Sequence, residues 1–169
     1  MFHLLKRNRK KERSVVKERK NDEYFHYALN LLKKRVYTSW EIAEKLRRRG
    51  ASDEKKEDVL RRLEGKGFID DRKYSEMYVY DSFTLKKWGK WKIRQQLRKK
   101  GVNDEIIEES IAKVIEEVDV KKIIVELINK RIKNGKTSKQ EIQNVKRFLM
   151  NRGFDIGEID DAIGKLREM

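Results

Sequence analysis

Trp91-Lys92-Ile93-Arg94-Gln95-Gln96-Leu97-Arg98-Lys99-Lys100-Gly101-Val102 is followed by an acidic run and then by Ile107, Ile111 and Val114. Ile93 and Leu97, four apart, mark one face of a helix. Gly101, four further on, supplies the left-handed residue that ends it. The next apolar stripe, at i, i+4 and i+7, predicts a second helix. The same skeleton stands earlier as Ile42, Leu46, Gly50, then Lys56, Leu60 and Leu63. It stands later as Val145, Leu149, Gly153, then Ile159, Ile163 and Leu166. The three glycines are 51 and 52 residues apart, so the chain is an internal repeat. Lys56 departs from the apolar pattern. Either copy one packs less tightly there, or Lys56 lies at an edge, with its stem packed and its ammonium in water.

Composition agrees with a repeat. The 169 residues are 43% charged and 37% hydrophobic, with a mean hydropathy of −0.93. That favours several thin cores shared between neighbouring helices over one large core. The absence of proline suits a nearly all-helical chain. The absence of cysteine excludes disulfides and thiolate metal sites. No apolar run reaches the ~20 residues of a membrane span. The first residues lack the apolar centre of a signal peptide, so a cytoplasmic protein is expected. The net charge of +15 bounds the partners to nucleic acid, an acidic protein surface or anionic lipid.

The charge is unevenly placed. Residues 1–20 hold nine Lys/Arg against two Glu, among them Lys6, Arg7, Arg9, Lys10, Lys11 and Arg13. Residues 1–21 therefore read as a basic arm, either a solvated extension or a contact to phosphates. Three-helix repeats are expected at 22–66, 67–118 and 119–169. In the first, Thr38 with Glu41 forms a capping box, and Ser52 or Asp53 caps the next helix. Phe68 and Ile69 are expected to tuck inward after the Gly65–Gly67 turn. Asp70 and Asp71 read as a cap and a dipole partner, not as an acid–base pair. The following helix is expected to turn Tyr74, Met77, Tyr78 and Val79 inward. In the third copy, Asn134-Gly135-Lys136 is a turn, Ser138 with Glu141 a second capping box, and Asp155 a cap.

In this order the pieces resemble a known family. Gly65-x-Gly67-Phe68-Ile69-Asp70-Asp71-x-x-Tyr74, then Gly89-x-x-x-Ile93-Arg94-x-x-Leu97-x-x-Lys100-Gly101-Val102, resembles RecX, the regulator of the RecA recombinase. Ala28-Leu29-x-x-Leu32 with Tyr37-Thr38-x-x-Glu41-Ile42-x-x-Lys45-Leu46 is similar to that family's opening. Phe148-Leu149-x-x-Arg152-Gly153-Phe154 is similar to its closing copy. The resemblance covers roughly residues 24–166. It implies an all-α body of three tandem three-helix repeats, curved and elongated like a solenoid. It also implies binding along the groove of the RecA–DNA filament, with inhibition of recombinase activities. Single- and double-stranded DNA are then expected partners, and the protein is expected to be a monomer.

No catalytic constellation is visible. His3 and His26 have no Asp, Ser or Cys companion at a useful spacing. No Gly-x4-Gly-Lys-Ser/Thr loop occurs. No enzymatic activity, cofactor or metal is expected.

The binding signal is in the cations. Residues 82–103 hold eight Lys/Arg and no acid. Lys and Arg near a helix carboxyl end, such as Arg47, Arg48 and Arg98, fit the helix dipole, as acids do at the amino end. Lys86, Lys87, Lys90, Lys92 and Arg94 stand at a helix start or middle and oppose that rule. They are the leading candidates for DNA or filament contact, with Arg98, Arg47, Arg48, Arg147 and Arg152 beside them. Trp91, with Trp40 at the matching place in copy one, either packs over its copy's first helix or stands among the cations as a stacking surface. A second reading is a DNA-binding protein with one recognition helix per copy and no recombinase partner. Three copies in one chain favour an extended surface instead.

The arm gives the first prediction. Deleting residues 1–20 should leave the melting temperature nearly unchanged, because few apolar groups are there to bury. DNA affinity should fall and its salt dependence should flatten, read by titration at several salt concentrations. An unchanged slope would remove the arm from the phosphates.

Overall fold

The computed structural model describes residues 23–132 and 138–168, with side chains to residue 165. Among these residues there are nine helices and no strand. They are α1 (23–32), α2 (Ser39–Arg48), α3 (Asp53–Gly65), α4 (Asp71–Thr84), α5 (Lys90–Lys99), α6 (Asp104–Glu117), α7 (Val120–Arg131), α8 (Lys139–Asn151) and α9 (Ile156–Glu168). The fold is all-α, three helices to a copy, as the repeat implied. The turn at residues 134–136 and the arm lie outside the described residues.

The middle helix of each copy ends the same way. Gly50, Gly101 and Gly153 have φ of 86°, 71° and 86°. The residue after each glycine donates its amide to the carbonyl of the repeat's leucine: Ala51 to Leu46, Val102 to Leu97 and Phe154 to Leu149, at 3.0–3.2 Å. Ala51, Val102 and Phe154 are all buried. This is a Schellman ending with its apolar contact, built three times. The starts differ. Thr38 with Glu41 and Ser138 with Glu141 form complete capping boxes on α2 and α8. On α5 the cap position is Gly89, which offers no side chain to the helix.

The chain forms two compact units, residues 1–71 and 72–169. In the first, Phe25, Ala28, Ile42, Leu46, Val59 and Leu63 make the core. Lys56 lies at its edge: the side chain is mostly covered and its Nζ reaches Asp53 at 2.6 Å, as expected of a snorkelling lysine. In the second, one core runs through both copies, from Val79, Ile93, Leu97 and Ile107 to Ile124, Ile128, Leu149 and Ile159. Each fully buried Leu or Ile contributes roughly 1.5–3 kcal/mol against remaining exposed. Copies two and three therefore share a core instead of holding one each.

Two expectations are corrected, and a third is extended. Met77 points to solvent at 62% exposure; the buried face of α4 is Ser75, Val79, Ser82 and Phe83. Phe68 is half exposed, and only Ile69 of that pair is buried. The Asp71 carboxylate accepts from the Ser39 amide at 2.8 Å and from the Ser39 hydroxyl, so it serves the amino end of α2 as well as standing at the start of α4.

Copies two and three are also joined through their backbones. The Gly89 amide donates to Arg152 O at 2.8 Å, and the Trp91 amide to Gly153 O at 3.1 Å. Both glycines are buried. A Cβ on Gly153 would stand 2.4 Å from the Lys92 nitrogen, and one on Gly89 would stand 2.1 Å from Gly153 O. Gly50 has the same φ as Gly153 but open space around its Cβ position. Gly50→Ala should therefore cost only the left-handed penalty, about 1–2 kcal/mol. Gly153→Ala should cost about 1–3 kcal/mol more, because α5 must move away. Denaturant titration, with each variant compared on its own unit's transition, checks this; equal losses would mean the close approach carries no energy.

Candidate nucleic-acid interface

Residues 90–99 form α5 because Ile93 and Leu97 seat it in the shared core, both fully buried. Apart from Trp91 the rest of the helix is polar, and the cations on it and beside it include two sets. In the first, each cation has a carboxylate. Arg94 grips Glu108 through Nε and Nη2 at 2.5 and 2.7 Å. Arg98 grips Asp104 at 2.6 and 3.3 Å. Lys90 reaches Glu158 at 2.8 Å, and Lys87 reaches Glu126 at 3.2 Å. The hydrogen bond from Arg94 holds the Glu108 carboxyl below the usual carboxylate range. That pairing stabilises above the ordinary glutamate pKa of about 4.3 and is lost as pH falls through the lower folded value.

The second set lies on aromatic rings. Lys86 Nζ stands 4.2 Å from the Tyr78 ring and 4.8 Å from Trp88. Lys92 Nζ stands 4.8 Å from Trp88. Lys100 stands 5.5 and 5.9 Å from Tyr74 and Tyr78. Tyr74 and Tyr78, four apart on α4, stack at 6.1 Å. Burial pushes the Tyr78 phenol up, against the pull of Lys100. Lys86 and Lys92 have no acidic partner among the described residues. A ring face holds an ammonium by roughly 0.5–1 kcal/mol at an exposed site, without cancelling its charge. These cations keep their field toward solvent.

The remaining candidates are dispersed. Arg47 pairs with Glu44 on its own helix at 2.9 Å. Arg48 and Arg147 are exposed, and Arg48 acts on Glu44 through its charge, behind Arg47. Arg152 Nη1 donates to Lys86 O at 2.8 Å and Lys87 O at 3.2 Å, and its guanidinium lies over Phe148. Lys6, Arg7, Arg9, Lys10, Lys11 and Arg13 fall outside the described residues. Trp91 and Trp40 do not pack as core residues: they are 59% and 48% exposed. Trp91 stands with Met150, Phe154 and Ile156 along an open groove of about 860 Å³, rimmed by the Lys90–Glu158 pair. Sequence reasoning missed Lys100, Tyr74, Tyr78 and Trp88 as parts of one surface. Tyr74 and Tyr78, one helical turn apart, were expected inward and do pack partly buried against the core, and their rings also meet Lys100.

No helix among the described residues is long and apolar enough to cross a membrane. Nor do they include a cluster of three or more His, Cys, Asp or Glu that could hold a metal ion.

The fold and this surface define an all-α protein of three-helix repeats that carries a cationic, ring-backed surface on its second unit. The comparisons with known proteins sharpen the class. Models of the first, second and third three-helix domains of RecX match residues 25–63, 70–111 and 119–163 in that order. A protein of Thermotoga petrophila named regulatory protein RecX is 32% identical over 98% of this chain and 95% of its own. One of the same name from Haemophilus influenzae is 33% identical over 83% of this chain and 93% of its own. The crystal structure of RecX from Lactobacillus salivarius shares the fold, with a TM-score of 0.81, 24% identity and coverage of 88% and 97% of the two chains. The chain belongs to the RecX family of regulatory proteins.

The ion pairs of α5 generate a prediction. Glu108→Gln with Asp104→Asn releases Arg94 and Arg98 without removing either. Duplex DNA affinity should rise, and its salt slope should steepen by about 0.9 for each released cation that meets a phosphate. Arg94→Ala with Arg98→Ala should do the reverse, with little loss of stability because both pairs lie at the surface. If neither slope moves, this face of α5 does not touch phosphates.

Proposed function

We propose that this protein is a negative modulator of the RecA recombinase. It binds along the groove of the RecA–DNA filament and limits filament growth, strand exchange and co-protease activity, in DNA repair and the SOS response. The observation that carries the reading is the three RecX domains in family order along the chain, with whole-length relatives named as regulatory proteins. The reading gives the protein no catalytic step. It acts by occupancy, as a cytoplasmic monomer, with the arm at 1–21 and the three repeats at 22–66, 67–118 and 119–169 as its working parts.

The surface chemistry supports a mixed contact. Lys86, Lys92 and Lys100 on their rings suit the phosphates of a strand. The groove at Trp91 is different: its cations Lys90 and Arg94 are already paired, and Trp91, Met150 and Ile156 are exposed around the buried Phe154. A groove of that kind offers little to a phosphate and a good deal to an apolar protein side chain. Nucleic acid and recombinase would thus meet different parts of the second unit.

Addition at less than one copy per recombinase subunit should slow strand exchange and shorten filaments, measured by gel assay and by electron microscopy. One bound copy, in a groove or at a growing end, affects many subunits. Binding to the filament should also survive rising salt better than binding to bare DNA, because protein contacts contribute. Unchanged exchange and filament length would leave the plain DNA-binding reading in place.

A further inference from the structure

A recess of about 380 Å³ opens between the α4–α5 loop and the carboxyl end of α7. Its lining includes Lys86, Lys87, Lys130, Arg131 and Arg152, and no acidic residue. On α5, by contrast, Lys90, Arg94 and Arg98 each meet a carboxylate. Lys130 has no ionic partner among the described residues. Arg131 and Arg152 both lie over the Phe148 ring, at 4.1 and 4.9 Å. One ring thus gathers two planar guanidiniums, neither with an ionic partner among the described residues. Of its five N–H donors Arg152 commits only Nη1, to the two loop carbonyls, which leaves the outer donors for a ligand. Lys87 reaches Glu126, which is not part of the lining, at 3.2 Å.

Lys87 adds a second observation. Its φ is 54°, the only left-handed backbone among the described non-glycine residues. Glycine adopts that conformation without strain; a lysine does not. A strained residue that is retained points to a side chain wanted in that place. The loop carbonyls are fastened by Arg152, so the strain is held by the same guanidinium that lines the recess.

We propose that this recess is a phosphate-binding site, taking the phosphoryl groups of a nucleic-acid strand or of a free nucleotide. Guanidiniums suit it because they meet phosphate oxygens with two parallel donors, and the lysines add point charge. Leu85, 75% exposed, and Leu127 give an apolar shoulder for the rest of the ligand. The site is a property of this chain alone and does not depend on the recombinase reading, so its test contains no recombinase.

The full-length chain would be titrated calorimetrically with pyrophosphate, with ADP and with a short oligothymidylate. Lys130→Gln with Arg131→Gln would be compared with Lys121→Gln, a one-charge change at the other end of α7, about 15 Å away along the helix. The expected result is saturable binding of at least one probe by the parent, weakened about tenfold or more in the double variant. Lys121→Gln should stay within about twofold of the parent. Pyrophosphate or ADP that binds and competes with the strand identifies free phosphate esters as occupants. Binding of the oligonucleotide alone, with a salt slope that falls by about 0.7 for each lost phosphate contact, identifies a strand. Lys87→Gly keeps the test sound if the double variant melts early, since it removes a cation while relieving strain: melting should hold or rise while binding falls several-fold. Parent and double variant binding every probe alike, or Lys121→Gln losing as much as the double variant, would overturn the proposal.

Discussion

The second unit depends on one contact between two helix ends. The amino end of α5 has no capping side chain, because Gly89 stands at the cap. Two of the amides there, those of Gly89 and Trp91, donate to the carbonyls of Arg152 and Gly153, just beyond α8. A helix start and a helix finish, each with unpaired backbone groups, complete one another. Their partial charges are of opposite sign, so the approach is also electrostatically favourable. It is possible only because both meeting points lack a side chain: a Cβ on Gly89 or Gly153 would stand 2.1 or 2.4 Å from the other copy's backbone, far inside van der Waals contact. Around it lie Lys90 with Glu158, Lys87 with Glu126 and Arg152 on the loop carbonyls, all tying copy two to copy three.

This contact changes the meaning of the basic start of α5. Lysines in a first turn oppose the helix's own dipole, and from sequence that opposition had no local account. In the structure the carbonyls at the end of α8 are set against that same turn, and Glu158 adds a carboxylate to Lys90. Part of the cationic excess is therefore balanced across the copies. What stays unbalanced is narrower: Lys86 and Lys92 on rings, and the cluster at the end of α7. Net charge alone does not separate these groups, because a paired and an unpaired arginine count equally in +15.

The repeat, the helix count, the two capping boxes and the glycine endings were legible because each is set within a few residues of sequence. The missed features are those set across the fold. The inner face of α4 carries Ser75 and Ser82 where apolar residues would have displayed the period. Met77 was assigned inward on composition, and the helix turned it out. Lys130 and Arg131 looked like ordinary dipole partners at a carboxyl end. Only Phe148 and Arg152, brought in by α8, make them part of a recess. The exposure of Trp40 and Trp91 was equally out of reach, since each sits at a position that one helix leaves undetermined.

The departures from the repeat carry more about function than the repeat itself. In copies one and three the third position of the middle helix is glutamate, Glu41 and Glu141, closing the capping box. In copy two that position is Lys92 and the cap is glycine. Local helix chemistry prefers the glutamate by roughly 1 kcal/mol or less. Copy two gives up that local stabilisation twice, at the cap and at the third position. In return the Lys92 backbone seats Gly153, and its ammonium joins Lys86 over Trp88. The same change removes an acid from the surface and admits the neighbouring copy. A single lapse in a capping rule, set between two copies that keep it, thus marks both the joint between copies two and three and the edge of the cationic surface.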